Sequence, residues 1–213
     1  MKKIEYTGRV KDFVENYDGA DHKIWNKVDG PIVAVRDAIR THYLKEQAYC
    51  CAYCRMEKKE THGLTWDVEH ILAKFDFPEY LFHPENLAIA CKECNIPKNN
   101  ADILEKNVSG HLDFPKKSSD YLIVHPHFDD YNDHFEITIV HRKRRYRMLN
   151  GKKAAQTYII CELFRFDYKF AEWEDFNSAI VAEVSNFLDK CPPTATPKEI
   201  KGMLGHLDFK KAQ

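Results

Sequence analysis

Residues that could ligate a metal or move a proton are concentrated in one stretch, "WDVEHILAKFDFPEYLFHPENLAIACKECNIPKNN", which runs from Trp66 to Asn100. It contains an adjacent carboxylate and imidazole, Glu69 and His70, and it ends in a Cys-x-x-Cys pair followed by asparagines. Paired thiolates suit zinc, carboxylate and amide oxygens suit a hard divalent cation, and imidazole suits proton transfer. The stretch therefore combines the residue types of a structural metal site with those of a hydrolytic site.

The seven cysteines of the chain are not scattered. "CAYC" and "CKEC" are two Cys-x-x-Cys pairs separated by 36 residues, and each pair can present two sulfurs to one ion. The odd number of cysteines disfavours a disulfide framework. We therefore predict a structural zinc site whose ligands are Cys51, Cys54, Cys91 and Cys94. The other three are expected to be small apolar side chains: Cys50, Cys161 and Cys191.

Zinc in a closed shell of four thiolates has no open position for water, so it cannot be a catalyst, and a second site would have to do the chemistry. The carboxylate of Glu69 with the amide oxygens of Asn95 and Asn99 would suit Mg²⁺ or Mn²⁺. Asn95 and Asn99 are four residues apart, so they would share one face of a helix. The pair Glu69 and His70 would then be divided, with one residue on the metal and the other activating water.

Hydrophobic periodicity predicts the elements that would position these residues. The segment "GPIVAVRDAIRTHYLKEQ" has apolar residues at helical spacing and predicts a helix that leads to the first cysteine pair. "LTWDVEHIL" and the end of "FHPENLAIAC" predict two short strands, the second of which enters the second cysteine pair. A helix is predicted to begin near Pro97 and to continue through "PKNNADILEK".

The rest of the chain is expected to wrap this core. "YLIVHPHFDDYNDHFEITIVHRKRRYRMLN" contains strand-like runs, whereas "KKAAQTYIICELFRF" and "KFAEWEDFNSAIVAEVSNFLDK" have helical spacing. We predict an α+β fold with one domain over residues 1–191, a motif core at 50–105, and a tail at 192–213 that could be mobile. No apolar run approaches the ~18 residues of a membrane span, so a cytoplasmic protein is expected.

The order of the polar residues resembles that of a known family. Glu69-His70, then Asn86 in "PENL", then Asn95 in "CNIPKNN", bracketed by two Cys-x-x-Cys pairs, is similar to the HNH endonucleases, which have a ββα-metal fold and, in this form, a structural zinc. The spacing of nine residues from Asn86 to Asn95, and four more to Asn99, is similar to that of colicin-type and CRISPR-effector HNH domains. The motif covers residues 51–100, roughly a quarter of the chain.

This resemblance implies metal-dependent hydrolysis of phosphodiester bonds in nucleic acid, with DNA as the expected substrate. It implies that His70 is the general base, that Glu69 and Asn95 are metal ligands, and that Asn99 is a weaker third ligand. It also implies that Asn86 fixes the loop that holds the histidine. Glu69 stands where the family more often has Asp or His.

The flanks "HPHFDDYNDHFEI" and "CELFR" resemble the stand-alone HNH proteins of bacterial anti-phage systems of the Septu and retron-associated type. Those proteins work beside an ATPase. The resemblance implies an effector role in anti-phage defence and an ATPase as a partner protein.

The charge of the chain restricts how it could hold nucleic acid. Because the formal net charge is −1, any such contact must be local or shared with a partner. From Thr138 to Lys153 the chain has seven Lys and Arg residues and no acidic residue. This run is either a solvated face or a phosphate-binding surface. The residues predicted to contact phosphates are Arg142, Arg144, Arg145 and Arg147, together with Lys98 near the second asparagine.

Two other functional classes stay open at this point. One is a zinc-stabilised module that binds nucleic acid or protein without catalysis. The other is an interaction subunit whose nuclease site is silent until a partner assembles on it. A second metal site is an alternative interpretation of His125, His127 and His134, but their surroundings, "HPHFDDYNDH", favour a hydrogen-bonded turn.

Overall fold

Helices and two small antiparallel sheets form the part of the chain that this computed structural model describes, which comprises residues 1–106, 108, 113–140, 143–149, 151–167 and 196. The helices in these ranges are α1 (Gly8–Glu15), α2 (Pro31–Glu46), α3 (Lys92–Lys98) and α4 (Gly151–Ile160). The strands are β1 (Trp66–His70), β2 (Leu87–Cys91), β3 (Phe135–Val140) and β4 (Lys143–Met148). The predicted α+β class is confirmed at this level.

Contacts between residues divide the chain into two units, Met1–Asp167 and Tyr168–Gln213. The helix predicted over "KFAEWEDFNSAIVAEVSNFLDK", the domain boundary at residue 191 and the tail at 192–213 lie outside the described residues. The prediction of one domain over 1–191 therefore stays a prediction. No helix in the described ranges has the length and apolar character needed to cross a bilayer.

Helix α2 forms as its periodicity predicts. Gly30 precedes it with a φ of 77°, and a proline occupies its first position. Ile32, Val35, Ile39 and Tyr43 fall on one face and are fully buried. The hydroxyl of Tyr43 donates a hydrogen bond to the carbonyl oxygen of Pro84 at 2.7 Å. The helix thus packs its apolar face on the core and delivers the chain to the first cysteine pair.

Strands β1 and β2 pair in an antiparallel register that aligns Trp66 with Cys91 and His70 with Leu87. All five residues of β2 are buried, because this strand lies inside the core. The segment 71–86 connects the two strands and contains two short 3₁₀ turns. Both strands were predicted, and both are confirmed.

Helix α3 is shorter than predicted and begins earlier. It runs from Lys92 to Lys98, directly after β2, and the helix predicted through residue 106 is wrong. Pro97 lies inside the helix, where its ring cannot donate a backbone hydrogen bond and crowds the preceding turn. Asn99 then has a φ of 37°, a left-handed value that ends the helix. Leu104 makes an isolated bridge with Tyr121 instead of continuing the helix.

Candidate zinc and catalytic sites

The four cysteines of the two Cys-x-x-Cys pairs come together in the core. All four are buried, and their sulfur atoms lie within 4.8 Å of one another. The sulfurs of Cys54 and Cys91 are 3.7 Å apart. Tetrahedral zinc with bonds of about 2.3 Å requires neighbouring sulfurs to be about 3.8 Å apart. The cluster can therefore hold a zinc ion, as the spacing predicts. Its members are Cys51, Cys54, Cys91 and Cys94.

The backbone around the cluster explains how the chain brings these sulfurs together. The amide of Cys51 donates to the carbonyl of Met56 at 3.1 Å, and Arg55 turns the chain with a φ of 56°. The second pair straddles the junction of β2 and α3, because Cys91 ends the strand and precedes the helix. The amide of Cys91 donates to the sulfur of Cys51 at 3.3 Å. Of the remaining cysteines, Cys161 is buried and Cys50 is partly exposed, whereas Cys191 lies outside the described residues.

A cleft of about 520 Å³ lies beside this cluster. Four of the residues predicted to do chemistry line it: Glu69, His70, Asn95 and Asn99. Glu69 and His70 come from the end of β1, and Asn95 comes from α3. Asn99 lies just beyond the helix, so the prediction that it shares a helical face with Asn95 is wrong, although both residues reach the same cleft.

The ring of His70 is held in one orientation. Its Nε2 lies 3.1 Å from the carbonyl oxygen of Leu81, and the indole of Trp25 packs edge-on against the ring with centroids 4.4 Å apart. A proton on Nε2 would donate to that carbonyl, which leaves Nδ1 as an acceptor. Burial, with the nearby cation of Lys74, lowers the pKa of His70 to about 3. The imidazole is therefore neutral at neutral pH.

Asn86 is fully buried and does not line the cleft. Its Oδ1 accepts a hydrogen bond from the amide of Leu72 at 2.7 Å, and its Nδ2 donates to the carbonyls of Leu72 and Tyr80 at 3.1 Å each. These three bonds close the connection 71–86, which carries the Leu81 carbonyl that contacts His70. Asn86 thus ties Leu72 and Tyr80 together within the connection that carries the Leu81 carbonyl.

Glu69 and Lys98 form a buried ion pair. The Nζ of Lys98 lies 2.6 Å from Oε1 of Glu69, and the hydroxyl of Tyr53 donates to the same oxygen at 2.9 Å. Burial raises the pKa of Glu69, while Lys98 and Tyr53 oppose that shift. Lys98 is 1% exposed, so the prediction that it contacts a phosphate is wrong. A buried carboxylate needs a cationic partner, and Lys98 is the partner of Glu69.

Asp67 is a residue that the sequence interpretation missed. Its Oδ2 accepts a hydrogen bond from Nδ2 of Asn95 at 3.0 Å, and its Oδ1 contacts Nζ of Lys92 at 2.6 Å. The amide of Asn95 is thereby oriented with its Oδ1 as the remaining acceptor. A signal existed, because Asp67 stands two positions before Glu69 and alternate residues of a strand share a face.

Lys74 is a second residue that was missed. It lines the cleft, and within the described ranges it has no ion-pair partner. Its charge acts on the ring of His70 and helps to lower the pKa of that histidine. Lys74 is therefore the lysine that faces the cleft, in the place where Lys98 was expected.

The oxygen donors on the cleft suit a hard divalent cation in type. Glu69 offers a carboxylate, and Asn95 and Asn99 offer amide oxygens. Lys98 already offsets part of the negative charge of Glu69 through Oε1. Elsewhere in the described ranges, no group of three or more His, Cys, Asp or Glu side chains besides the four cysteines is arranged to hold a metal. The histidine-rich turn is consistent with this, since the amide of His125 donates to Asp129 at 2.7 Å.

The arginines of the β3–β4 hairpin do not line this cleft. Arg144 donates to the carbonyl oxygen of Cys54 at 3.2 Å and lies over the ring of Tyr146, and Arg147 pairs with Glu136. The side chains of Arg144 and Arg147 thus contact the hairpin itself and the turn that contains Cys54. Arg145 is exposed on β4, and Arg142 lies outside the described residues. The expectation that this run lines a groove beside the catalytic residues is corrected for the described members.

Comparison of the chain with models of known protein families, with curated proteins and with solved structures finds no match. The functional interpretation therefore depends on the residues of the cleft and on the motif that they form. Glu69 and His70 lie on β1, Asn95 lies on α3 and Asn99 lies just beyond that helix, and the cysteine cluster connects these elements.

Proposed function

We propose that this protein is an HNH endonuclease that hydrolyses phosphodiester bonds of nucleic acid, with DNA as the expected substrate. The observation that supports the proposal is the single cleft that Glu69, His70, Asn95 and Asn99 line. The antiparallel pair β1–β2, followed directly by α3 and joined by four cysteines, is the arrangement expected of a ββα-metal fold with a structural zinc.

In this proposal His70 accepts a proton from the attacking water. Its imidazole is held by the Leu81 carbonyl with Nδ1 as the acceptor, and a positioned acceptor is the geometric requirement of general-base catalysis. Asn86 acts through the connection 71–86 by keeping that carbonyl in place. It is a positioning residue, since it does not reach the cleft.

Glu69 and Asn95, with Asn99 as a third donor, would hold a catalytic Mg²⁺ or Mn²⁺ ion. Such an ion, when bound, stabilises charge on the scissile phosphate and on the leaving oxygen. Asp67 orients the amide of Asn95, and the ammonium of Lys98 offsets part of the cost of burying the carboxylate of Glu69. Zinc in the cysteine cluster would have no open position, so its role is structural.

The test is cleavage of supercoiled plasmid by the purified chain with Mg²⁺ or Mn²⁺. Because His70 is buried against Trp25, the informative variant is His70→Asn, which keeps a donor near the Leu81 carbonyl but cannot act as a base. We expect it to lose cleavage by at least about 100-fold while retaining zinc. His62→Ala, at an exposed position, is the matched control. Cleavage that is undetectable with both ions, or that survives in His70→Asn, contradicts the proposal.

A binding module without catalysis is the second candidate, and one observation favours it. The Lys98 ammonium is already paired with Glu69, so the carboxylate has less free charge to offer a metal. A chain of this class would bind nucleic acid equally well with and without added divalent ions and would leave plasmid intact. Asn95→Ala, which leaves the buried Glu69–Lys98 pair intact, distinguishes the two functions, since it should raise the Mg²⁺ concentration needed for half-maximal cleavage only in an enzyme.

An effector role in anti-phage defence, with an ATPase as partner, is a further part of this proposal. It rests on the flanking segments around "HPHFDDYNDHFEI" and "CELFR". The experiment is affinity purification of the chain co-expressed with an ATPase encoded beside it. Copurification in a fixed ratio is expected, and recovery of the chain alone contradicts the partnership.

A further inference from the structure

The candidate catalytic cleft continues into a second pocket of about 410 Å³. The two cavities share four lining residues: Asn26, Val68, Lys74 and Asn95. Asn95 and Lys74 therefore stand in the middle of one groove, with His70 toward one end and helix α2 along the other. A chain-like ligand reaching His70 could extend along this groove.

Helix α2 presents a polar face to the groove. Val33, Arg36, Asp37 and Arg40 line the second pocket, and their spacing of three, four and seven residues places them on one side of the helix. The buried face, with Val35 and Ile39, is turned to the core. Arg36 and Arg40 lie one turn apart, about 6 Å along the axis. Two nucleotides of one strand rise by roughly 7 Å, so both guanidinium groups can contact the same strand.

Two cations of the groove, Arg36 and Lys74, lack a carboxylate partner within the described residues. Arg40 pairs with Asp37 at 2.9 Å, and Asp67 is engaged by Lys92, which does not line the pocket. Arg36 and Lys74 have no carboxylate partner in the described ranges. An anion in the groove would therefore meet two cations, Arg36 and Lys74, that no carboxylate of the described residues pairs with.

The two arginines retain donors for a ligand. Arg36 uses one guanidinium nitrogen to donate to the carbonyl of Trp25 at 2.7 Å, and an arginine has five N–H donors in all. Arg40 uses Nη1 to donate to Asp37 at 2.9 Å, which leaves further N–H donors on its guanidinium group. These contacts orient the two arginine side chains at the groove and leave N–H donors on each guanidinium group for a ligand.

We propose that Arg36, Arg40 and Lys74 form a phosphate-binding track, which holds the backbone of a nucleic-acid strand as it runs along α2 to His70. This inference rests on the proposed nuclease function and specifies the surface that grips its substrate. It assigns that surface to helix α2 and the start of the 71–86 connection, and not to the arginine-rich hairpin, whose residues do not line the groove.

The test measures binding separately from cleavage. The full chain carrying His70→Asn is titrated into a short fluorescent DNA duplex at several salt concentrations, and the slope of log K against log salt is determined. Lys74→Gln, Arg36→Gln and Arg40→Gln should each weaken binding and reduce that slope by about one unit, because each removes one phosphate contact. Arg36→Lys should retain most of the slope although it loses the bond to Trp25, which separates charge from local folding.

Arg147→Gln is the matched control, since it removes the same charge from a residue paired with Glu136 on the hairpin. The control should leave the slope unchanged. The track is overturned if its three variants keep the parental slope, if Arg147→Gln lowers the slope instead, or if the parental chain binds no duplex at low salt. Plasmid cleavage by the wild-type chain together with an unchanged slope would reject the track alone. A reduced slope without any cleavage would retain the track and reject the proposed hydrolysis.

Discussion

The Nζ of Lys98 lies 2.6 Å from Oε1 of Glu69, and both side chains are almost completely buried. Taking two charges out of water is costly, so the pair stabilises the fold only as long as both members are present. Tyr53 adds a hydroxyl to the same oxygen, and burial raises the pKa of that hydroxyl so that it stays a donor. The pair therefore links the stability of the core to a carboxylate that lines the cleft.

Removal of Lys98 alone should destabilise the protein strongly. Lys98→Met leaves the Glu69 carboxylate buried without its cation, which costs about 3–5 kcal/mol in comparable cases. The free energy of unfolding, measured by urea titration at constant zinc, gives the loss. Lys58→Met is the control, because Lys58 pairs with Glu93 in a more exposed position and should cost less than about 1 kcal/mol. Equal stability of the two variants would show that the buried pair contributes little.

The cysteine cluster should make folding depend on zinc. The purified chain should contain about one zinc ion per molecule, and Cys94→Ser should unfold or aggregate, since structural zinc contributes of order 10 kcal/mol of apparent binding energy in small domains. Elemental analysis and thermal unfolding with and without a chelator provide the measurements. Cys50→Ser, outside the cluster, should behave like the wild type. A zinc-free chain that unfolds at the same temperature would contradict this prediction.

Asn86 should affect both stability and turnover. Asn86→Ala removes three hydrogen bonds and leaves the buried amide of Leu72 without an acceptor, so a loss of about 2–3 kcal/mol is expected. Because the Leu81 carbonyl would no longer be held firmly against His70, we also expect kcat to fall more than KM rises. Asn16→Ala, at an exposed position, is the control. Reduced stability with unchanged kcat would limit Asn86 to a structural role.

His83 should make the protein less stable in acid. Burial lowers the pKa of His83 to about 4, whereas an unfolded histidine has a pKa near 6.5. The unfolded chain therefore takes up the proton first, and stability should decrease as the pH falls from about 6.5 toward 4. After allowance for solvent screening, this residue should contribute about 1 kcal/mol of that loss.

His83→Phe isolates this contribution. It keeps a ring stacked on Phe114, whose centroid lies 3.9 Å from that of His83, and removes the titrating group. Urea unfolding at pH 7 and pH 5 should show a smaller decrease for the variant than for the wild type. His62→Phe, at an exposed position, serves for comparison. The same pH dependence in His83→Phe and the wild type would exclude His83 as a source of acid sensitivity.

Local patterns predicted the elements that hold the cleft, because α2 and β1–β2 follow hydrophobic spacing that depends only on neighbouring residues. The cysteine pairs were equally readable, since metal-ligand spacing is a short-range signal. The ion pair of Lys98 with Glu69 could not be predicted from such short-range patterns. A lysine in a polar segment is expected at the surface, and its burial depends on Glu69 and Tyr53, which reach it from distant positions in the chain.

The proposed binding surface could not be predicted from local sequence patterns either, and the arginine-rich hairpin and helix α2 show why. The sequence shows that basic residues are concentrated between residues 142 and 147, but it does not show where their side chains lie relative to the cleft. Arg36 and Arg40 of α2 are not adjacent and stand among apolar residues, so they do not form a basic run in the sequence. They gain significance only because the fold places their helical face along the groove that leads to His70.

Cys94 and Asn95 are consecutive residues of α3, so the sulfur of one and the amide of the other move together. An ion bound to the cysteine cluster would therefore govern the geometry of the cleft without lying in it. In the proposed enzyme, zinc acquisition would be a maturation step, because a newly synthesised chain would have no working cleft until the cysteine cluster binds its ion. Conversely, oxidants that convert the thiolates to disulfides would release the ion and silence the site while every residue of the cleft stays chemically intact.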